Sequence, residues 1–188
     1  GFREEILNYA RDGRPYWIDI DVQPVVGRDG RVERFIGIES DVTERKRAED
    51  AQRRLLQIIE TARDIVASAD GDGRLTYMNA AGRALLGIGA DEDISHLRAA
   101  DTHSPEGAAL VMNEALPVAR RHGFWEGENE FLTRDGQRVP VWQVIVAHTN
   151  PDGGVKHYST IARDIRQRRR DEAELRLAAS VYHNTIEG

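Results

Sequence analysis

Residues able to do chemistry are few in this sequence, and their spacing excludes more than it offers. His96, Asp101 and His103 fall close together, but no two of them stand three or four positions apart. No helical face presents two of them to one metal ion, so the metal-ligand set is read as none. Asp70-Gly71-Asp72-Gly73 has the alternating aspartates of a calcium loop, yet Arg74 occupies its fifth position and Ala81 its twelfth, where a carboxylate is required. No Ser-His-Asp pattern, phosphate loop or paired-carboxylate site emerges, so no residue is assigned as catalytic. Arg166 to Arg170 form a basic run, but Asp171, Glu172 and Glu174 follow within helical reach, which reads as a solvated helix start and not as a nucleic-acid patch. Gln143 is the polar group out of place. It interrupts the alternating apolar row Val139, Val141, Ile145, and a buried amide needs hydrogen-bond partners. Either a neighbour such as Tyr158 or Thr160 supplies them, or a ligand or water cluster does.

Composition bounds the setting of these groups. The chain has 188 residues, 40% of them hydrophobic and 31% charged, with a net charge of −6 and no cysteine. Disulfides, thiolate zinc sites, c-type haem attachment and cysteine-adduct photochemistry are therefore excluded. The negative balance argues against nucleic acid, which needs a basic face. The absence of cysteine fits a cytoplasmic location, and no apolar run reaches the roughly 18 residues of a membrane helix, so no membrane span is expected. Gly1 enters in mid-pattern, which reads as a piece of a longer protein.

The elements that must position these residues occur twice. Sliding the sequence along itself by 123 positions lays Asp41 on Asp164, Glu5 on Glu128, Arg11-Asp12-Gly13 on Arg134-Asp135-Gly136, and Asp29-Gly30 on Asp152-Gly153. A period this long means tandem domains and not a stacked array. Each copy reads as three antiparallel strands joined by Asp-Gly turns. In the first copy they cover Phe2 to Asn8, Tyr16 to Val26 and Arg34 to Asp41; in the second, Phe124 to Thr133, Gln137 to His148 and Val155 to Asp164. The first copy lacks whatever precedes its meander, so an open edge is expected along Phe35 to Asp41.

Between the copies the period changes. Thr43 is placed to cap a helix in which Ala48, Ala51, Leu55, Ile58 and Ala62 recur at steps of three and four, the seam of a parallel coiled coil. Short strands follow at Ile65 to Ser68 and Leu75 to Met78. Asn79 caps a helix from Ala80 to Leu86, and a helical turn is expected around His96 to Ala99. A longer helix is expected from Pro105 to about Arg121, kinked at Pro117. After Asp164 a second charged helix begins, with Leu175, Ala178 and Tyr182 as its seam. Val181 to Gly188 align with Ile58 to Ile65, as though a further domain began there.

This order resembles the PAS sensor domain with its C-terminal PAC segment. The resemblance rests on Asn79 opening the first helix after the second strand, on Gly123-Phe124-Trp125-Glu126-Gly127-Glu128 leading a strand, on Arg134-Asp135-Gly136, and on Asp41-Val42-Thr43. It implies an α+β fold, a five-stranded antiparallel sheet with helices on one face and coiled-coil helices flanking it. Residues 1–43 would then be the last three strands of a truncated domain, 44–63 a signalling helix, 64–165 a complete domain and 166–188 an output helix. The resemblance further implies a small pocket between sheet and helices, with Asn79, His103, Trp125, Gln143, Tyr158 and Thr160 as ligand-pocket candidates. His96 and His103 lie near the region that supplies the iron ligand in haem-binding members, but neither haem nor flavin is favoured, and the cofactor is left open. Asp41, Thr43 and Asp164 are the expected signal-relay positions. The second copy has Arg166 where the first has Thr43, so the capping hydroxyl is missing there. The expected role is sensory, with a histidine kinase or diguanylate cyclase downstream in the same chain; the alternative is a ligand-free dimerisation and spacing module.

Trp142, Val144 and Val146 alternate with the pocket row, so both faces of that strand are apolar. An antiparallel sheet shows this only when its outer side is covered. The candidates for that cover are the helix at Leu55 to Ile59 or the same surface of a partner chain, and a homodimer through Leu55, Ile58, Trp142 and Val144 is the expectation.

Overall fold

Two units make up the computed structural model, Gly1–Gln57 and the remainder from Ile58. It describes the backbone of residues 1–186 and the side chains through Leu177. The side chains of the expected seam residues Ala178 and Tyr182, and those of the stretch Val181 to Gly188, lie outside the described set.

In the first unit β1 (Phe2–Tyr9), β2 (Pro15–Val26) and β3 (Val32–Asp41) form an antiparallel meander. Its two Asp-Gly turns put Gly13 and Gly30 at φ 83° and 80°, a region that penalises any residue with a β-carbon. β3 is paired only with β2, and every one of its residues is exposed, so its far edge is open. Helix α1 (Thr43–Glu60) follows directly. Leu55 and Ile58 on it are 62% and 60% exposed.

The second unit holds a five-stranded sheet. β4 (Ile65–Asp70) and β5 (Leu75–Met78) form a hairpin, followed by α2 (Ala80–Leu86), a 3-10 turn (Ala99–Thr102), α3 (Pro105–Leu110), a wide π turn (Val111–Ala115) and α4 (Leu116–His122). β6 (Phe124–Leu132), β7 (Arg138–Thr149) and β8 (Val155–Asp164) complete a five-stranded antiparallel sheet in the order β5-β4-β8-β7-β6, and α5 (Arg166–Ile186) leaves it. The fold is thus the α+β sheet-and-helix arrangement expected, with the helices on one face. That face buries Ile65, Ala67, Leu75, Phe131, Val139, Val141 and Ala162 in one apolar cluster, and Val111, Ala115, Ala119, Trp125 and Ile145 in another.

Three local details differ from expectation. The turn of helix lies at Ala99–Thr102 and not at His96 to Ala99, because Asp101 Oδ2 accepts the Arg98 amide at 2.8 Å and opens the turn there. The long helix is broken into three pieces. Pro117 has no N–H to give the Asn113 carbonyl, and its ring crowds that carbonyl, so the backbone widens into the π turn just before it. Thr43 does not cap α1 with its hydroxyl. Asp41 Oδ1 accepts the Thr43 amide at 2.9 Å, while the Thr43 hydroxyl accepts the Trp17 amide at 2.8 Å and so ties the helix start to β2.

Candidate functional site

Alternation along β7 turns Val139, Val141, Gln143 and Ile145 toward the helices, and Gln143 is buried with 1% of its surface exposed. Both ends of its amide have partners. Oε1 accepts from Asn129 Nδ2 of β6 at 2.8 Å and lies 3.3 Å from His103 Nε2, while Nε2 donates to the Thr160 hydroxyl of β8 at 3.1 Å. Thr160 in turn donates to the Val144 carbonyl at 2.8 Å. Asn129 is held by the Glu130 amide, which donates to its Oδ1 at 2.8 Å. Gly107 makes room for it: a β-carbon there would stand 2.6 Å from Asn129 Oδ1.

His103 follows the 3-10 turn and packs edge-on against Phe131, with centroids 4.6 Å apart. Its Nδ1 lies 2.8 Å from the Ala99 carbonyl. Burial pushes its pKa below the ordinary histidine value, against the pull of the Ala99 carbonyl and the Gln143 amide. The cavity beside these groups amounts to about 50 Å³ and is walled mainly by apolar side chains, among them Leu75, Val111, Phe131 and Ile145. Tyr158 and Thr160 also reach its wall.

The strands that carry this network also hold the root of α5. Asp164, at the end of β8, accepts the Arg166 amide at 2.8 Å and is ion-paired with the Arg166 side chain. Glu128, next to Asn129 on β6, binds Arg168 at 2.8 Å and also Arg169, whose hydrogen bond is the main reason its pKa is lowered.

Comparison with known proteins follows the same outline. The family described as PAS fold matches residues 59–170, and the family described as PAS domain matches residues 1–44. The chain belongs to the PAS family. Over 102 residues it is 31% identical to a blue-light-activated histidine kinase of Rhizobium johnstonii, a match covering 52% of this chain and 29% of that protein. Over 53 residues it is 42% identical to blue-light-activated histidine kinase 1 of Erythrobacter litoralis, covering 26% of this chain and 15% of that one. The chain therefore spans less than a third of these relatives. Among solved structures, a PAS domain from Colwellia psychrerythraea superposes with a TM-score of 0.57 at 19% identity, covering 63% of this chain and 99% of that one. A sensory box histidine kinase/response regulator from Burkholderia thailandensis gives 0.54 at 19% identity, covering 70% and 98%. The chain is a PAS sensor module related to those of histidine kinases, and no helix among its described residues is long and apolar enough to cross a membrane.

Within this PAS domain the expected pocket residues divide. Gln143, His103 and Thr160 meet at the cavity, and Tyr158 lines it without bonding to Gln143. Asn79 is buried but serves the backbone: its Oδ1 accepts from Val66 and Gly82, and its Nδ2 donates to the Ile59 and Asp64 carbonyls, which uses its full bonding capacity. Trp125 has the pocket phase of β6 yet packs under Val111, Ala115 and Ala119, and its Nε1 donates to Glu114 at 3.1 Å, so it stands apart from the cavity. Asn129 is the member that sequence reasoning missed. Its place on the Trp125–Phe131 alternation is the signal that would have found it. On the outer face Trp142 is 38% exposed, beside half-buried Val144 and exposed Phe124 and Ile161.

Haem and flavin do not fit this site. Binding sites for drug-sized molecules run to about 300–1,000 Å³, and the cavity is far smaller. Gln143 Oε1 stands 3.3 Å from His103 Nε2, in the place an iron on that nitrogen would take.

Proposed function

We propose that this chain is a sensory module of a multidomain signalling protein. A change of packing or bonding at Gln143 passes through β6 and β8 into α5 and on to an output domain in the same chain. A histidine kinase is the output that the relatives favour; a diguanylate cyclase is the other candidate. The observation that carries this reading is the sharing of strands. Asn129 and Glu128 are neighbours on β6, and Thr160 and Asp164 lie four residues apart on β8, so the pocket network and the helix root are built on the same two strands. Asp164, with Asp41 and Thr43 in the first unit, is the relay position in this scheme. Cytoplasmic location and a homodimer through Leu55, Ile58, Trp142 and Val144 belong to the same proposal.

Hydrogen exchange tests it. Gln143→Leu is expected to change exchange of the α5 amides near Arg166 to Arg170; exchange identical to the parent chain would refute the relay. Sedimentation of a monomer at high micromolar concentration would remove the homodimer.

A second reading, a ligand-free dimerisation and spacing module, draws on the small cavity and on the fact that every buried side-chain nitrogen and oxygen among the described residues has a partner. A mass spectrum of extracted small molecules with a visible absorption scan separates the two. A blank in both, with Gln143→Leu as stable as the parent, favours the spacer.

A further inference from the structure

The orientation of Gln143 is fixed from two sides. The Glu130 amide donates to Asn129 Oδ1, so Asn129 offers its Nδ2, and Gln143 must answer with Oε1. The Thr160 hydroxyl gives its proton to the Val144 carbonyl and can only accept from Gln143, which must answer with Nε2. Turning the amide over would set donor against donor at Asn129. Oε1 therefore faces His103 Nε2, at 3.3 Å. Across the ring, Nδ1 faces the Ala99 carbonyl at 2.8 Å, and the nearby Thr102 hydroxyl also donates to that carbonyl at 2.8 Å. The Thr102 hydroxyl lies 3.2 Å from Nδ1, but its proton goes to the shorter bond with the Ala99 carbonyl, so both ring nitrogens of this buried histidine face acceptors. A neutral imidazole has one N–H, so one of the two contacts lacks its hydrogen.

We propose that this pocket is a proton receptor: His103 takes a proton from solvent acid at Nε2, and the resulting imidazolium completes the hydrogen bond to Gln143 Oε1. The proposal rests on the sensory reading above and names its input. Two opposed effects poise the group. Burial disfavours the charged ring and the paired acceptors favour it; burial is the larger effect and holds the pKa below the ordinary histidine value. Few other charges face it. Among the described residues Tyr158 of β8 is the titratable group on the cavity wall besides His103. Asp101 on its own turn, Glu106 of α3, Glu114 of the π turn, and Glu128 and Glu130 of β6 engage the Arg98 amide, Arg138, Trp125, Arg168 with Arg169, and Arg138 respectively. None of these partners is the His103 ring.

The first unit shows that the network is not part of the frame. Positions 129, 143 and 160 correspond, 123 residues earlier, to Ile6, Ile20 and Gly37. All three sheet members of the network are replaced together by groups that form no side-chain hydrogen bond.

The test is a pH titration of the 15N-histidine-labelled chain by long-range proton–nitrogen NMR, with His103 assigned from the signals lost in His103→Phe. The expected result is a neutral ring at pH 7.5 with its proton on Nδ1. On acidification Nε2 gains a proton with a midpoint below 6.5, and the Gln143 side-chain amide shifts with the same midpoint. Gln143→Leu should lower that midpoint by at least about half a pH unit, because the acceptor is gone. Should that variant fail to fold, Asn129→Leu combined with Gln143→Leu removes the stranded donor and serves the same comparison. A neutral ring carrying its proton on Nε2, or a ring that stays neutral until the chain unfolds, overturns the proposal. The two readings fail separately. Titration without any response in α5 exchange refutes the relay alone, whereas an α5 response to Gln143→Leu with no titration refutes the proton receptor alone.

Discussion

β2 in the first unit and β7 in the second occupy equivalent places in equivalent meanders, and the machinery at the helix roots is duplicated with them. Glu5 binds Arg45 and Lys46 as Glu128 binds Arg168 and Arg169. Asp41 caps Thr43 as Asp164 caps Arg166, and the backbone bond from Val42 to Trp17 recurs from Ile165 to Pro140. The pocket faces differ at their centre, where Ile6, Ile20 and Gly37 of one copy correspond to the hydrogen-bonded Asn129, Gln143 and Thr160 of the other. One further bond separates the roots: the Trp17 amide donates to the Thr43 hydroxyl, but Pro140 has no N–H and Arg166 has no hydroxyl. The contrast teaches that joint and pocket are separable, since the joint is kept in charge and geometry while the pocket is rewritten.

The strongest test of that contrast is truncation at matched positions. Phe131→Ala is expected to cost about 3–5 kcal/mol in urea unfolding, because the ring is 2% exposed in the core. Its counterpart Asn8→Ala, at a half-buried polar residue, should cost less than about 1 kcal/mol. Equal costs would mean that the first sheet's face is packed as a closed core. Next comes conversion of the pocket toward the first copy. Gln143→Ile alone should lose about 1–3 kcal/mol by stranding the Asn129 donor, and adding Asn129→Ile should restore part of that loss. A double variant less stable than the single one would contradict the account of the network.

A smaller effect is expected at the joint. Pro140→Trp with Arg166→Thr installs the missing bond, and a double-mutant cycle should give a coupling of about 0.5–1.5 kcal/mol, with slowed exchange of the new amide at position 140. Zero coupling would show that this bond contributes nothing to the root. Smallest of all are Glu5→Gln and Glu128→Gln. Both should loosen the first turn of their own helix to a similar degree in low salt, with the difference vanishing near molar salt, as for exposed ion pairs. A difference that survives high salt would point to packing instead of charge.

Much of this was readable in advance. The Asp-Gly turns, the 123-residue repeat and the alternation from Val139 to Ile145 rest on local chemistry, and they placed the meanders and the buried face of β7. What escaped depended on distant chain. Gln143 pairs in register with Gly127, so Asn129 reaches it only on the diagonal, and His103 arrives from 40 residues away through helices whose path is set by packing. Trp125 shares the phase of Asn129, which points it at the pocket, yet the π turn and α4 cover that end of β6. Phase along a strand is local; which end of a face receives a helix is not. Thr43 is similar, because its hydroxyl has two uses, and only the nearness of β2 selects the tie to Trp17.

The exchange at the joint also has an evolutionary reading. A donor and an acceptor that disappear together leave no intermediate without cost: a hydroxyl at position 166 facing Pro140 gains nothing, and an N–H at 140 facing Arg166 is left unpaired. In an alignment of related chains, positions 140 and 166 are expected to co-vary, with proline at the first and no hydroxyl at the second, or an amide at the first and serine or threonine at the second. The joint thus carries a two-letter record of which outgoing helices are tied to their sheet by this extra bond and which do without it.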